Sequence, residues 1–215
     1  MKKLNLHAEK GLYLVIDPSD KEEKELFETL EKLFAFPLAA VQIWDHFGED
    51  QNPEKFTDKV LKLASPYAFP VLVNNRWDLL RNCNVDGIHL DAIPADLSLI
   101  SESLSKKYLL GLTVNNDLDQ IRKADKLGFG YVSFCSVYPT KTTQYCDLVS
   151  FDAIKKASEI TKAPVFLAGG IKPRHLTELQ QLPHSGIALI SGVMKEKDPV
   201  KALEKYYHSL QKEIP

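Results

Sequence analysis

What the chain lacks sets its first limits. No stretch approaches the roughly 20 consecutive apolar residues that a membrane helix needs, so no membrane role is expected. The basic start Met1-Lys2-Lys3 runs into Leu-Asn-Leu-His-Ala-Glu-Lys. That is neither an uninterrupted apolar core nor a small-residue cleavage site, which argues against a secretory leader. Cysteine is scarce. Cys83, Cys135 and Cys146 are scattered, odd in number and without paired metal spacing. That usage suits a reducing cytoplasm and speaks against a disulfide scaffold. Charge of one sign is also missing: the formal net charge is −2, so no broad attraction to nucleic acid or anionic membrane is expected. There is no linker, low-complexity segment or long charge run. The 215 residues are expected to form one domain, with residues 1–10 as an N-terminal extension.

What is present is a repeated β-plus-helix pattern. Hydrophobic residues make up 44% and charged residues 26%, as in an ordinary globular protein. Eight apolar, β-rich runs recur at intervals of about 20 to 30 residues. They are Gly11–Ile16, Leu38–Trp44, Pro70–Asn74, Gly87–Leu90, Leu109–Val114, Tyr131–Ser136, Pro164–Ala168 and Gly186–Ile190. Runs without polar alternation suit parallel strands buried on both faces. Between them lie amphipathic stripes: Leu26, Phe27, Leu30 and Leu33; Leu118, Ile121 and Ala124; Leu203, Tyr206 and Leu210. Asp198 with Pro199 after it reads as an N-cap and first helical residue. The turn after the first strand, Ile16-Asp-Pro-Ser-Asp-Lys, has no glycine. That disfavours an open dinucleotide-binding sheet. The pattern predicts an α/β fold, a closed (β/α)8 TIM barrel whose functional face is formed by the loops after the strands.

Four features could carry chemistry at that face. Gly169 and Gly170 follow the seventh strand, and Ile190 and Ser191 follow the eighth. In barrels these two loops frequently cradle a phosphate, because backbone amides can approach it closely. The plainer reading is that the glycines only permit tight turns. The loop after the sixth strand, Tyr138-Pro-Thr140-Lys141-Thr142-Thr143, offers hydroxyls and a cation, for a phosphate or simply for solvent. Finally, Gln42, Asn74, His89 and Thr113 are polar groups near strand ends, which either converge on one pocket or are satisfied separately in the wall. Trp44, at the second strand end, either stacks on a ligand ring or packs. Trp77 is expected to pack in the third helix. None of the eight strand ends clearly offers a lysine for Schiff-base chemistry.

These residues, in this order, resemble the thiamine phosphate synthase family, which includes the related thiazole tautomerases. The resemblance runs from Gly11-Leu-Tyr to the final helix. It is most specific at Asp86-Gly-Ile-His89, Tyr138-Pro-Thr140, Ala168-Gly-Gly-Ile171 and Ile190-Ser191. It implies a (β/α)8 barrel that binds a small phosphorylated heterocycle. In the synthases, hydroxymethylpyrimidine diphosphate is joined to hydroxyethylthiazole phosphate with Mg2+. By position, Gly170, Ile190, Ser191, Thr140 and Thr142 match the thiazole phosphate side. Gln42, Asn74 and Thr113 (for a usual serine) match the pyrimidine side. Gln42, Thr113, Lys141 and His89 are the candidates for a catalytic role.

The departures from the family pattern fall together. The family's Gln-x-Arg-x-Lys reads Gln42-Ile-Trp44-Asp-His46, removing two cations. Asn75 and Ile93 stand in place of two aspartates that hold Mg2+, with Asp91 two positions early. The lysine after the threonines is Thr143, with Lys141 nearby. The tautomerase histidine corresponds to Asn115, which cannot act as a general base. Mg2+ wants oxygen ligands and neutralises a leaving diphosphate, so ordinary coupling is not expected. Three readings remain open. One is a thiamine-pathway transferase or isomerase with altered residues. Another is a non-catalytic or regulatory paralogue, and the third is another phosphosugar-type isomerase barrel.

Overall fold

A computed structural model of the chain describes residues 2–4, 10–102, 104, 107–140 and 147–211. Eight parallel strands close into a barrel in sequence order. They are β1 (Gly11–Ile16), β2 (Leu38–Ile43), β3 (Val71–Asn74), β4 (Gly87–Leu90), β5 (Leu109–Val114), β6 (Tyr131–Phe134), β7 (Val165–Ala168) and β8 (Gly186–Leu189). Closure is made by β1 against β8, where Gly11 to Leu14 pair with Gly186 to Leu189. Five strands are one or two residues shorter than the sequence limits, and for β3 and β7 the reason is simple. Pro70 and Pro164 have no N–H, so each contributes only its carbonyl, to Val41 and Val132 respectively. The run after β6 leaves the sheet at Cys135 to join the loop above β7.

Strand parity divides the core in two. Tyr13 and Val15 point inward with Ala40, Leu72, Tyr131, Phe166 and Ala188. Leu12, Leu14 and Ile16 point outward under the helices. The inner layer is aromatic. The rings of Tyr13 and Tyr131 meet Phe166 edge-on at 5.3 and 5.8 Å, the arrangement aromatic quadrupoles favour.

The helices cover the outer layer. They are α1 (Glu23–Leu33), α2 (Pro53–Ala64), α3 (Trp77–Asn82), α4 (Leu97–Glu102), α5 (Leu118–Lys126), α6 (Phe151–Ile160), α7 (Leu176–Leu179), α8 (Ser191–Met194) and α9 (Pro199–Leu210). Leu26, Leu30 and Leu33 of α1 are fully buried, each worth about 1.5–3 kcal/mol of apolar transfer. Truncating Leu30 to alanine would cost about 2–5 kcal/mol. Caps fix several helix starts: Asn52, Asp117, Ser150 and Asp198 each accept a hydrogen bond from a first-turn amide. Trp77 opens α3, packs against the outer core and meets Tyr108 edge-on. No helix among the described residues is long and apolar enough to cross a membrane.

The last helix bears on the functional face. Tyr206 is buried on α9, and its hydroxyl donates to the Ile171 carbonyl at 2.8 Å. That bond ties the final helix to the loop after β7.

Candidate functional site

The loops after β6, β7 and β8 are built as one unit. Val137 N–H donates to the Ala168 carbonyl at 2.9 Å, and Tyr138 N–H to Gly169 at 3.0 Å. The Tyr138 ring stacks on His175, and its hydroxyl donates to Glu178 at 2.6 Å. Gly169 and Gly170 have φ of 88° and 65°, the left-handed region that glycine enters without penalty. A β-carbon at position 170 would lie 2.5 Å from the carbonyl oxygens of both Tyr138 and Pro139. The glycines are therefore required by close backbone approach as well as by the turn. Beside them, Ile190 caps the short α8, receiving the amide of Met194 at 2.8 Å.

Together these loops line a cavity of about 580 Å3. Thr140, Gly169, Gly170, Ile190, Ser191 and Gly192 form its wall, Val15 and Ala188 reach it from the barrel interior, and Lys172, Arg174 and Lys205 stand on it farther out. All four residues expected to hold a phosphate thus meet in one cavity, together with Thr140. Lys141, Thr142 and Thr143 lie outside the described residues.

The other half of the barrel mouth is a polar network. Gln42, Asn74 and His89 are buried, while Thr113 is half-buried. Tyr13 Oη donates to Gln42 Oε1 at 2.8 Å and lies 2.7 Å from Tyr131 Oη. Tyr131 Oη lies 2.9 Å from His89 Nδ1, and His89 Nε2 lies 2.9 Å from Thr113 Oγ1. On the other side Gln42 Nε2 donates to Asn74 Oδ1, and Asn74 Nδ2 reaches Asp91 Oδ2 at 3.4 Å. Burial disfavours the charged imidazole and lowers the pKa of His89 to about 4, against a weaker opposing pull from Asp91. Burial likewise raises both tyrosine pKa values, so both phenols keep their protons.

Trp44 ends β2 at the rim and packs against the inner cluster. One of its faces is taken by His46, stacked at 3.6 Å and 23°. His46 Nδ1 in turn lies 3.6 Å from Asp17 Oδ2. Where the resemblance expects two cations, the chain places an aromatic pair leaning on a carboxylate.

The family's Mg2+ can be tested against the donors present. Asn75, in a left-handed conformation with φ of 52°, spends both ends of its amide locally. Its Nδ2 donates to Asp91 at 2.8 Å and to Asp45 at 3.3 Å, while its Oδ1 accepts from the Asp91 amide at 3.1 Å. An N–H donor therefore occupies the space between the two carboxylates where a cation would sit. Ile93 is apolar and packs against the outer core. Among the described residues no three carboxylate, imidazole or thiolate groups converge as a metal site. The donor set does not fit Mg2+, which takes carboxylate and water oxygens in a strict octahedron.

Sequence reasoning missed three members of this site. Tyr13 and Tyr131 read only as strand residues, and Asp45 only as the residue between Trp44 and His46. Inward parity on β1 and β6 was the available signal for the tyrosines. Their meeting across the barrel was not readable from spacing.

A closed parallel (β/α)8 barrel with a glycine-walled cavity over its last strands defines the architectural class. Comparison with known proteins makes it particular. Residues 12–193 match the family model described as thiamine monophosphate synthase, and the chain belongs to that family. It is 27% identical over 206 residues to thiamine-phosphate synthase 1 of Aquifex aeolicus, covering 94% of both chains. It is likewise 27% identical over 193 residues to the thiamine-phosphate synthase of Fusobacterium nucleatum, covering 90% of this chain and 93% of that one. A solved structure titled thiamine phosphate pyrophosphorylase, from Pyrococcus furiosus, superposes with a TM-score of 0.78. It covers 97% of this chain and 96% of its own at 24% identity, a likeness of fold.

Proposed function

We propose that this chain is a cytoplasmic thiamine-pathway protein that binds a thiazole phosphate or thiamine phosphate at the C-terminal mouth of its barrel. The phosphate sits against Gly169, Gly170, Ile190 and Ser191. The heterocycle extends toward Gln42, Trp44, Asn74 and Thr113, with Thr140 and Thr142 on the thiazole side. The observation that carries this reading is the cavity walled by the left-handed glycine pair and the β8 loop. That is the kind of surface on which backbone amides receive a phosphate.

Efficient Mg2+-dependent coupling to a pyrimidine diphosphate is not part of this function. A leaving diphosphate needs cations, and removing one such electrostatic element commonly costs on the order of 10²-fold in rate. Here the cationic pair is replaced by Trp44 and His46, and the carboxylates flank an amide. His89 is buried and neutral, so it serves as a hydrogen-bonding wall residue rather than a proton carrier. Gln42, Thr113 and Lys141 remain the candidates for direct ligand chemistry. The arrangement around Asn75 specifically favours a second reading, a non-catalytic paralogue that binds the same phosphate.

Titration calorimetry with hydroxyethylthiazole phosphate and with thiamine phosphate tests the reading. At least one should bind, with affinity unchanged by Mg2+. A product assay with both substrates and Mg2+ then separates a transferase from a binding protein. Failure of both ligands, with tight binding of a sugar phosphate, overturns the assignment.

A further inference from the structure

The cavity over the last strands does not end at the glycine wall. Past Gly170 and Ile190 it runs outward over Ile171 and Tyr206 to Lys172, Arg174 and Lys205. These three cations come from two elements. Lys172 and Arg174 belong to the segment after β7, and Lys205 belongs to α9. The bond from Tyr206 Oη to the Ile171 carbonyl, 2.8 Å long, fixes one element against the other and so brings the cations to one rim. All three are exposed, and none forms an ion pair among the described residues. Glu196 is the one carboxylate among the described residues of the wall. The positive field reaches beyond the rim: after burial, and against Glu178, Arg174 and Lys172 lower the pKa of His175.

The outer end is built differently from the inner wall. Pro173 has no N–H, and the Lys172 N–H is spent on His175 Nδ1 at 3.2 Å. The first two positions past Ile171 therefore offer no backbone amide, and an anion there must be met by side-chain cations. Arginine takes a phosphoryl group through two N–H groups at once, and lysine acts as a point charge. On the opposite side of the mouth, Trp44 and His46 stand where cations are expected. Cationic capacity thus lies beyond the monophosphate rather than across the mouth from it.

We infer that the cavity holds a second phosphoryl group, outward of the first, on Lys172, Arg174 and Lys205. The ligand class is a diphosphate monoester of the heterocyclic alcohol, bound without Mg2+. Its inner phosphoryl lies on the glycine wall and its terminal phosphoryl faces the three cations. Because those cations are exposed, salt screens them, and the preference for the diphosphate falls as ionic strength rises. The inference rests on the proposed function in taking the glycine wall as the first phosphate site.

Calorimetry in chelator tests it with thiamine phosphate and thiamine diphosphate, and with inorganic phosphate and inorganic diphosphate. The wild type should bind thiamine diphosphate about tenfold or more tighter than thiamine phosphate. Arg174→Gln combined with Lys205→Gln should bring that ratio to within about threefold. Lys197→Gln combined with Lys201→Gln removes two exposed charges that do not line the cavity, and should keep the ratio. Equal affinities in the wild type, or loss of the ratio in the control pair as well, overturn the inference. So does proportional weakening of both esters by the Arg174 and Lys205 changes, because the cations would then hold the first phosphate. Failure of both thiamine esters to bind overturns the functional reading instead. The inorganic pair then decides the outer site by the same ratio in the same variants, and no binding of inorganic diphosphate overturns the inference too.

Discussion

Tyr131 lies across Gly111. A β-carbon at position 111 would sit 2.1 Å from Tyr131 Cζ and 2.4 Å from its hydroxyl. The missing side chain on β5 is what lets the β6 tyrosine reach the barrel axis and join Tyr13 and His89. Gly111→Ala should destabilise the fold by about 1–3 kcal/mol through overpacking. It should also shift the His89 imidazole resonances, because Tyr131 must tilt away from Nδ1. Urea denaturation and histidine NMR check this; an unchanged urea midpoint would mean that the ring moves freely.

Gly170 and Gly128 form a matched pair of controls. Both have positive φ, 65° and 76°. An added β-carbon at Gly170 meets two carbonyl oxygens, and at Gly128 it meets nothing within 4 Å. Gly170→Ala should cost about 1–3 kcal/mol and weaken thiazole phosphate binding at least about tenfold. Gly128→Ala should cost about 1 kcal/mol and leave binding intact. Equal binding by the two variants would remove Gly170 from the phosphate wall.

Asn75 holds Asp45 and Asp91 by hydrogen bonds where the family would use a cation. The wild-type melting temperature should not respond to millimolar Mg2+. Asn75→Asp sets three carboxylates together and should lose on the order of 1–3 kcal/mol in chelator. Mg2+ should restore part of that loss. Thermal denaturation with and without the ion reads both effects, and a Mg2+ response in the wild type would contradict the assignment.

Two histidines predict an acid-labile fold. His184 Nδ1 donates to the Gly186 carbonyl at 3.2 Å, and its Nε2 accepts from Lys10 Nζ at 3.0 Å. Burial, and then the Lys10 charge, lower its pKa to about 4; burial does the same for His89. Unfolded histidine titrates near 6.5. Between about pH 6.5 and 4 the unfolded chain therefore binds more protons than the native one. Stability contributed by the neutral rings is complete above that window and is lost as pH falls through it. Each contributes at most about 1.4 kcal/mol per pH unit. His184→Gln should flatten the pH dependence of the urea midpoint relative to wild type; an unaltered slope would refute the assignment for His184.

Much of the fold was legible in the chain because its cause is local. Apolar runs such as Leu109–Val114 can only be buried on both faces, and stripes such as Leu26, Leu30 and Leu33 need a sheet beneath them. Asp198 followed by Pro199 marked the start of α9 by side-chain chemistry alone. The glycine pair and Ile190-Ser191 were visible as loops because glycine permits what other residues resist. The site was less legible. Asp45 lies between Trp44 and His46, and nothing in its spacing announces that it shares an amide proton donor with Asp91.

The alternation of strand and helix, the closed barrel and the family were already written in the chain, as were the glycine loop after β7 and the Ile190-Ser191 turn after β8. Those follow from burial, capping and glycine freedom, which act over a few residues. Folding alone brings Tyr13, Tyr131, His89 and Thr113 into one hydrogen-bonded chain and sets the Asn75 amide between two carboxylates. Those groups come from different strands and loops. Barrel closure and strand register bring them within hydrogen-bonding distance, and the register is set by packing across the whole sheet.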